Sequence, residues 1–268
     1  MTAGVYLYCL GWADRLPAWR ETGPEEQIPL NLGTWGNIAA VWSPVALEEF
    51  CDAGAPARLQ DLDWIGPRVC RHQRVVQEVM RHSPVLPAGF GTIFSSPERL
   101  EGVIREHHQV ISRFLDWVAG REEWAVKGLL DRSRAREEFT AAHLAREAET
   151  LASLTPGRRY FQEQRLRQQA EQDLSRWLKV ACREVLQALQ GKVREVRERR
   201  VWSPEARDSG REMLVNWAFL VDQEEAPDFN RQLAAAHARY QRWGLAFAVT
   251  GPWPPYSFCP ALTGEAEG

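Results

Sequence analysis

The chain has 268 residues, 44% of them hydrophobic and 26% charged, which is enough apolar material for two cores of ordinary size. A formal net charge of -3 gives no global field towards nucleic acid, lipid headgroups or a polyanionic substrate. Five scattered cysteines (Cys9, Cys51, Cys70, Cys182, Cys259) without CxxC pairs read as reduced packing thiols of a cytoplasmic protein, and no stretch has the pattern of a secretory leader or the ~18 apolar residues of a membrane span.

In chain order, Val5 to Leu10 (VYLYCL) is rich in β-branched and aromatic residues and predicts an opening strand. The prolines and glycines between Leu16 and Gly36 predict a loop, and Ile38 to Trp42 a second strand. Ile65, Val69, His72, Val76 and Val79 recur at three and four residues and predict one apolar helix face. Pro84, Pro87, Gly89 and Gly91 then make a shaped turn. Ser96 followed by Pro97 is an N-cap with proline in the first helical position, and Leu100 to Val118 forms one stripe that Gly120 ends.

The second half opens with a strand from Glu122 to Leu130, followed by helix from about Ser133 to Gln190 with a break at Thr155, Pro156 and Gly157. Strands follow at Val193 to Val201 and Met213 to Val221, then a helix capped by Asp228, and Gly244 releases the chain into a strand from Leu245 to Val249. The order β-α-β-β-α-β is that of a ferredoxin-like sandwich. In that topology the third strand is central and the second lies at an edge. Met213 to Val221 is the most apolar of the four, and the second carries the charges that protect an edge. The fold class expected is therefore α+β in two domains, residues 1–120 and 121–268, the second a modified ferredoxin-like unit with an enlarged helical crossover and a Pro/aromatic tail. The crossover helix from Pro156 to Gln190 alone spans roughly 50 Å.

Three stretches in order resemble the gas vesicle GvpF/GvpL family: Asp63 to Met80 running into SPVLPAGFGTIF (Ser83 to Phe94), the EEWAVKGLL strand, and LAFAVTGPWPPYSF (Leu245 to Phe258). The resemblance covers nearly the whole chain. It implies a minor, non-enzymatic gas vesicle component, without cofactor, that binds the small hydrophobic shell protein GvpA and keeps it from aggregating during nucleation, with other gas vesicle accessory proteins as further partners. Such work asks for a surface that shields apolar or β-prone segments. Two candidates are the tail, where prolines display Trp253, Pro254, Tyr256 and Phe258 on a stiff backbone, and the turn with Pro84, Pro87 and Phe90. A clamp of the tail across the second domain's own sheet is the plainer reading of its aromatics.

Other chemistry is weakly signalled. Gly89 and Gly91 lack the third glycine and lysine of a phosphate loop, and tight-turn geometry explains them better. His72 and His107 fall on apolar stripes, where a hydrogen-bonded core histidine is commoner than a ligand or base, and Cys70 with His72 has no second pair at metal-site spacing. Between Pro156 and Val201, twelve Lys or Arg stand against six acids, which suits a solvated helix face and leaves room for an acidic partner or RNA. An RNA-recognition module is the main rival on a βαββαβ scaffold, but its aromatic signature on the central strands is missing from the sequence.

Overall fold

An unbroken apolar run, rather than an alternating one, is what a strand covered on both faces requires. Val5 to Leu10 is such a run, and all six residues are buried in strand β1 (Ala3–Trp12). This is a computed structural model, and it describes residues 3–16, 29–51, 58–200 and 211–262. β2 (Asn31–Trp35) and β3 (Ile38–Ala46) form a hairpin closed by Gly36 and Asn37, with Gly36 at φ +65°, as a two-residue turn demands. β2 lies where the sequence predicts loop.

Helices α1 (Leu47–Cys51) and α2 (Leu62–Met80) follow, and the Asp61 carboxylate caps α2 by accepting the Asp63 N–H at 3.0 Å. His72, Val75, Val76 and Val79 are the buried face of α2, whereas Val69, predicted on that face, is exposed. Short strands β4 (Val85–Pro87) and β5 (Ile93–Phe94) both pair with β1, so the sheet runs β2-β3-β1-β4 with β5 also on β1. Every pairing in it is antiparallel. α3 (Pro97–Glu106) begins at the Ser96 cap, and α4 (His108–Val118) continues the same buried stripe after a break at His107. The predicted single helix is thus two. Gly120 (φ +69°) ends α4.

β6 (Arg121–Leu130) opens the second sheet. Its crossover consists of α5 (Arg132–Arg146), α6 (Ala148–Ala152) and α7 (Pro156–Gln190). α7 buries Leu166, Ala170, Leu174, Leu178, Ala181, Val185 and Leu189, while its first turns are exposed. α5 packs back along α7, tied by Arg136 to Glu171 at 2.6 Å and His143 to Asp173 at 3.1 Å. β7 is shorter than expected (Glu195–Glu198) and pairs antiparallel with β8 (Glu212–Asp222). α8 (Ala226–Tyr240) starts two residues before Asp228, because Pro227 fits a first turn where its missing N–H is not needed; Asp228 adds a first-turn carboxylate instead of the cap. A one-turn 3-10 helix (Gln241–Trp243) and Gly244 (φ +81°) lead into β9 (Leu245–Trp253).

The second sheet is also antiparallel, in the order β7-β8-β6-β9. α7 and α8 cover one face, where Phe219, Trp217 and Val221 of β8 pack with Phe229, Leu233, Leu174 and Val185. The chain divides into two compact units, residues 1–123 with 252–268 and residues 124–251. The tail after β9 therefore belongs with the N-terminal unit, not with the C-terminal residues to which the sequence assigns it.

Candidate functional site

The N-terminal unit's core contains an aromatic nest around His72. The Nε2 of His72 lies 3.0 Å from the Ala88 carbonyl, which only accepts, so Nε2 carries the proton and Nδ1 accepts the Tyr6 hydroxyl at 2.8 Å. The Tyr6 oxygen in turn accepts the Gly91 N–H at 3.3 Å. Burial lowers the His72 pKa, which keeps the ring neutral, and raises that of Tyr6. Phe90 and Tyr256 bring their rings to 6.0 Å and 6.4 Å from His72. His72 is a core histidine that pins the Pro84 to Gly91 turn to β1.

The tail is held on the same unit. Gly251 (φ +145°) turns the chain at the end of β9, and Pro254 and Pro255 are buried. In the one-turn helix Tyr256–Phe258, Phe258 is buried edge-on to Trp117 at 6.2 Å. Ser257 donates its N–H (2.8 Å) and hydroxyl (2.9 Å) to the carboxylate of Glu123, which has no exposed surface. The Cys259 thiol donates to the Pro255 carbonyl at 3.4 Å and to the Pro87 carbonyl at 3.6 Å. The tail is thus a clamp within the N-terminal unit.

Of the residues singled out from sequence, Pro87, Pro254 and Phe258 are buried, and Pro84, Phe90, Trp253 and Tyr256 are half-buried. The turn and the tail, far apart in sequence, are brought together through His72 and Cys259. Glu123, Ser257 and Tyr6 carry these contacts and had no local signal: an acid in a strand or a serine among prolines becomes informative only once its partner is known.

In the C-terminal unit the sheet edges differ. β7 is four residues long and charged, with Arg197 paired to Glu195 at 2.8 Å. β9 is nine residues long and has no charged side chain. Among the described residues β9 pairs on one side only, with β6. The Phe247 N–H donates to His237 Nδ1 at 3.3 Å, so it faces away from β6, and Val249, two residues on, repeats that orientation and is 37% exposed. Trp217 and Phe219 of the central strand β8 are buried in the core and not displayed for base stacking. Among the described residues no group of three His, Cys, Asp or Glu side chains is placed to hold a metal ion, and no helix is long and apolar enough to cross a membrane.

Two antiparallel sheets, each with its own helices, are also the architecture of two solved gas vesicle proteins. The fold superposes on GvpF from Anabaena sp. PCC7120 with a TM-score of 0.70 at 17% identity, over 97% of this chain and 99% of that one. For GvpF from Microcystis aeruginosa the TM-score is 0.66 at 19% identity, over 96% and 99% of the two chains. Residues 4–260 match the family of gas vesicle synthesis proteins GvpL/GvpF. Gas vesicle protein L of Streptomyces sp. (strain CB03234) is 30% identical over 86% of this chain and 83% of its own, and gas vesicle protein F1 of Halobacterium salinarum 26% identical over 79% and 80%. The chain belongs to the GvpL/GvpF family, which serves gas vesicle formation and is not a known enzyme family.

Proposed function

We propose that this chain is a minor gas vesicle component, cytoplasmic and vesicle-associated, that acts as a non-catalytic assembly factor by binding the hydrophobic shell protein GvpA and limiting its aggregation during nucleation. The observation that carries this reading is the outer edge of β9. Natural sheets blunt their edges with charge, proline or brevity, as β7 does, because an uncharged edge invites another strand to pair. β9 has nine residues, none charged; its one proline, Pro252, comes only at its end, and Ala248 and Val249 are exposed ahead of it. A β-prone partner segment adds there through main-chain hydrogen bonds. In the N-terminal unit the half-buried Trp253, Tyr256, Pro84 and Phe90 are a second contact surface, supported from below by Pro87, Pro254 and Phe258.

The same proposal takes the C-terminal unit as ferredoxin-like. Its β-α-β-β-α-β order and the strand order β9-β6-β8-β7, that is fourth, first, third, second, support it. The test is co-production of the full chain with GvpA, with soluble GvpA measured at low and high salt. The chain raises soluble GvpA under both conditions, since apolar capture survives salt that dissolves ionic contacts. Val249→Lys, which places a charge on the edge, removes most of the gain. Soluble GvpA no higher with the chain than without it overturns the reading.

A further inference from the structure

The C-terminal unit also contains a groove between α7 and the end of α8 that the edge-strand reading does not use. It encloses about 340 Å³. Its floor is aromatic: Trp177 meets Tyr240 edge-on at 5.8 Å and Trp243 at 6.3 Å. Buried Ala181 also lines the groove, and Val180 is 49% exposed on its wall. The one lining carboxylate, Glu184, is already engaged, accepting the Tyr240 hydroxyl at 2.7 Å and lying 3.4 Å from Arg239. Arg242 spreads its guanidinium over Trp243 at 4.9 Å and forms no ion pair among the described residues. Lys179 and Arg183, exposed on adjoining positions of α7, form none either.

We propose that this groove binds an acidic peptide segment of a partner protein, with one apolar anchor side chain seated on the indole floor and flanking carboxylates on Arg242 and Arg183. Each part of the site asks for a different part of that ligand. An indole and phenol floor beside an exposed valine gains from burying an apolar or aromatic side chain. A guanidinium placed over a ring by its Cζ still has N–H groups to spare and can pair bidentately with a carboxylate. Polyphosphates satisfy only the cations and leave the indole and phenol floor uncovered. The proposal stands apart from the β9 edge, and Val249→Lys leaves this groove intact.

The experiment uses the full chain and fluorescence anisotropy of a labelled amphipathic helical peptide with a phenylalanine stripe flanked by glutamates. We expect saturable binding that weakens roughly tenfold or more when lysines replace the glutamates or alanine replaces the phenylalanines. Arg242→Glu and Val180→Glu, both at exposed positions and checked for native circular dichroism, each lose a similar factor. Phe161→Ala, at a 74% exposed aromatic elsewhere on α7, leaves binding unchanged. Equal binding of the lysine peptide, wild-type affinity in both groove variants, loss in Phe161→Ala as large as in Val180→Glu, displacement of the peptide by polyuridylate, or no saturable binding overturns the assignment.

Discussion

The carboxylate of Glu123, fully shielded from solvent, receives both the backbone N–H and the hydroxyl of Ser257, 134 residues further along the chain. A buried carboxylate is tolerated only when its lone pairs are filled, so this pair joins the tail to the start of β6 with more force than a surface contact. Ser257→Ala removes one charge-assisted hydrogen bond and should lower stability by about 1.5–3 kcal/mol. Glu123→Ala removes the acceptor of both bonds and opens a cavity, so its loss should be larger. Urea unfolding followed by tryptophan fluorescence measures both, and limited proteolysis should show the tail cut sooner in each variant. Wild-type midpoints and cleavage rates in both would mean that the tail is not clamped.

The neutral His72 couples the N-terminal unit to pH. Burial holds its folded pKa below the ordinary 6.5, so the unfolded chain takes up a proton first as pH falls, and stability drops with it. The contribution is complete above the unfolded pKa and is lost as pH descends through about 6.5 towards the folded value. Unfolding free energy measured between about pH 7.5 and about pH 5 should fall with pH in the wild type and fall less steeply in His72→Phe. The variant is also less stable at neutral pH, since Tyr6 and Ala88 lose their partner. Identical slopes in the two proteins would remove His72 as the cause.

These two contacts also mark where the sequence stops being informative. The β-α-β-β-α-β order, the Ser96–Pro97 cap and the chain release at Gly244 are local, and periodicity and turn chemistry reveal them. β2 escapes because Gly33 and Gly36 resemble breakers. Gly36 in fact serves the hairpin turn, and Gly33 makes room for the Trp35 ring, which would lie 2.5 Å from an added Cβ. The stripe from Leu100 to Val118 keeps one face across the break at His107, so periodicity alone shows a single helix. The docking of the tail depends on Glu123, His72, Pro87 and Trp117, and no neighbour in sequence announces any of them. The same holds for the indole groove, whose walls come from α7 and α8.

Two glycines of the C-terminal unit should respond differently to alanine. Gly244 sits at φ +81°, and a Cβ there would meet the Asp131 carbonyl oxygen at 2.7 Å and the Ala135 nitrogen at 3.0 Å, both backbone atoms that cannot step aside. Gly244→Ala should destabilise by about 2 kcal/mol or more. Gly157, in the first turn of α7, has nothing within 4 Å of an added Cβ. Gly157→Ala should be neutral or stabilise by up to about 1 kcal/mol, because the alanine restricts the unfolded chain and favours helix. Thermal unfolding of both variants decides; a stabilising Gly244→Ala would mean that β9 does not enter its sheet beside Asp131 as described.

The cysteines give a residue-by-residue reading of how deeply β1 is buried. Alkylation requires the thiolate, and burial pushes the Cys9 thiol far above its usual range and that of half-buried Cys182 up to about 11. Cys70 is exposed on α2. Cys259 is half-buried and donates its thiol to two carbonyl groups. With iodoacetamide at about pH 8 under native conditions, peptide mapping should find Cys70 modified first, Cys259 and Cys182 much more slowly, and Cys9 only at the rate of global unfolding. Urea should bring all four to similar rates. Modification of Cys9 as fast as Cys70 in the native protein would show that the strand between β3 and β4 is open to solvent, and the aromatic nest on which the tail rests would lose its foundation.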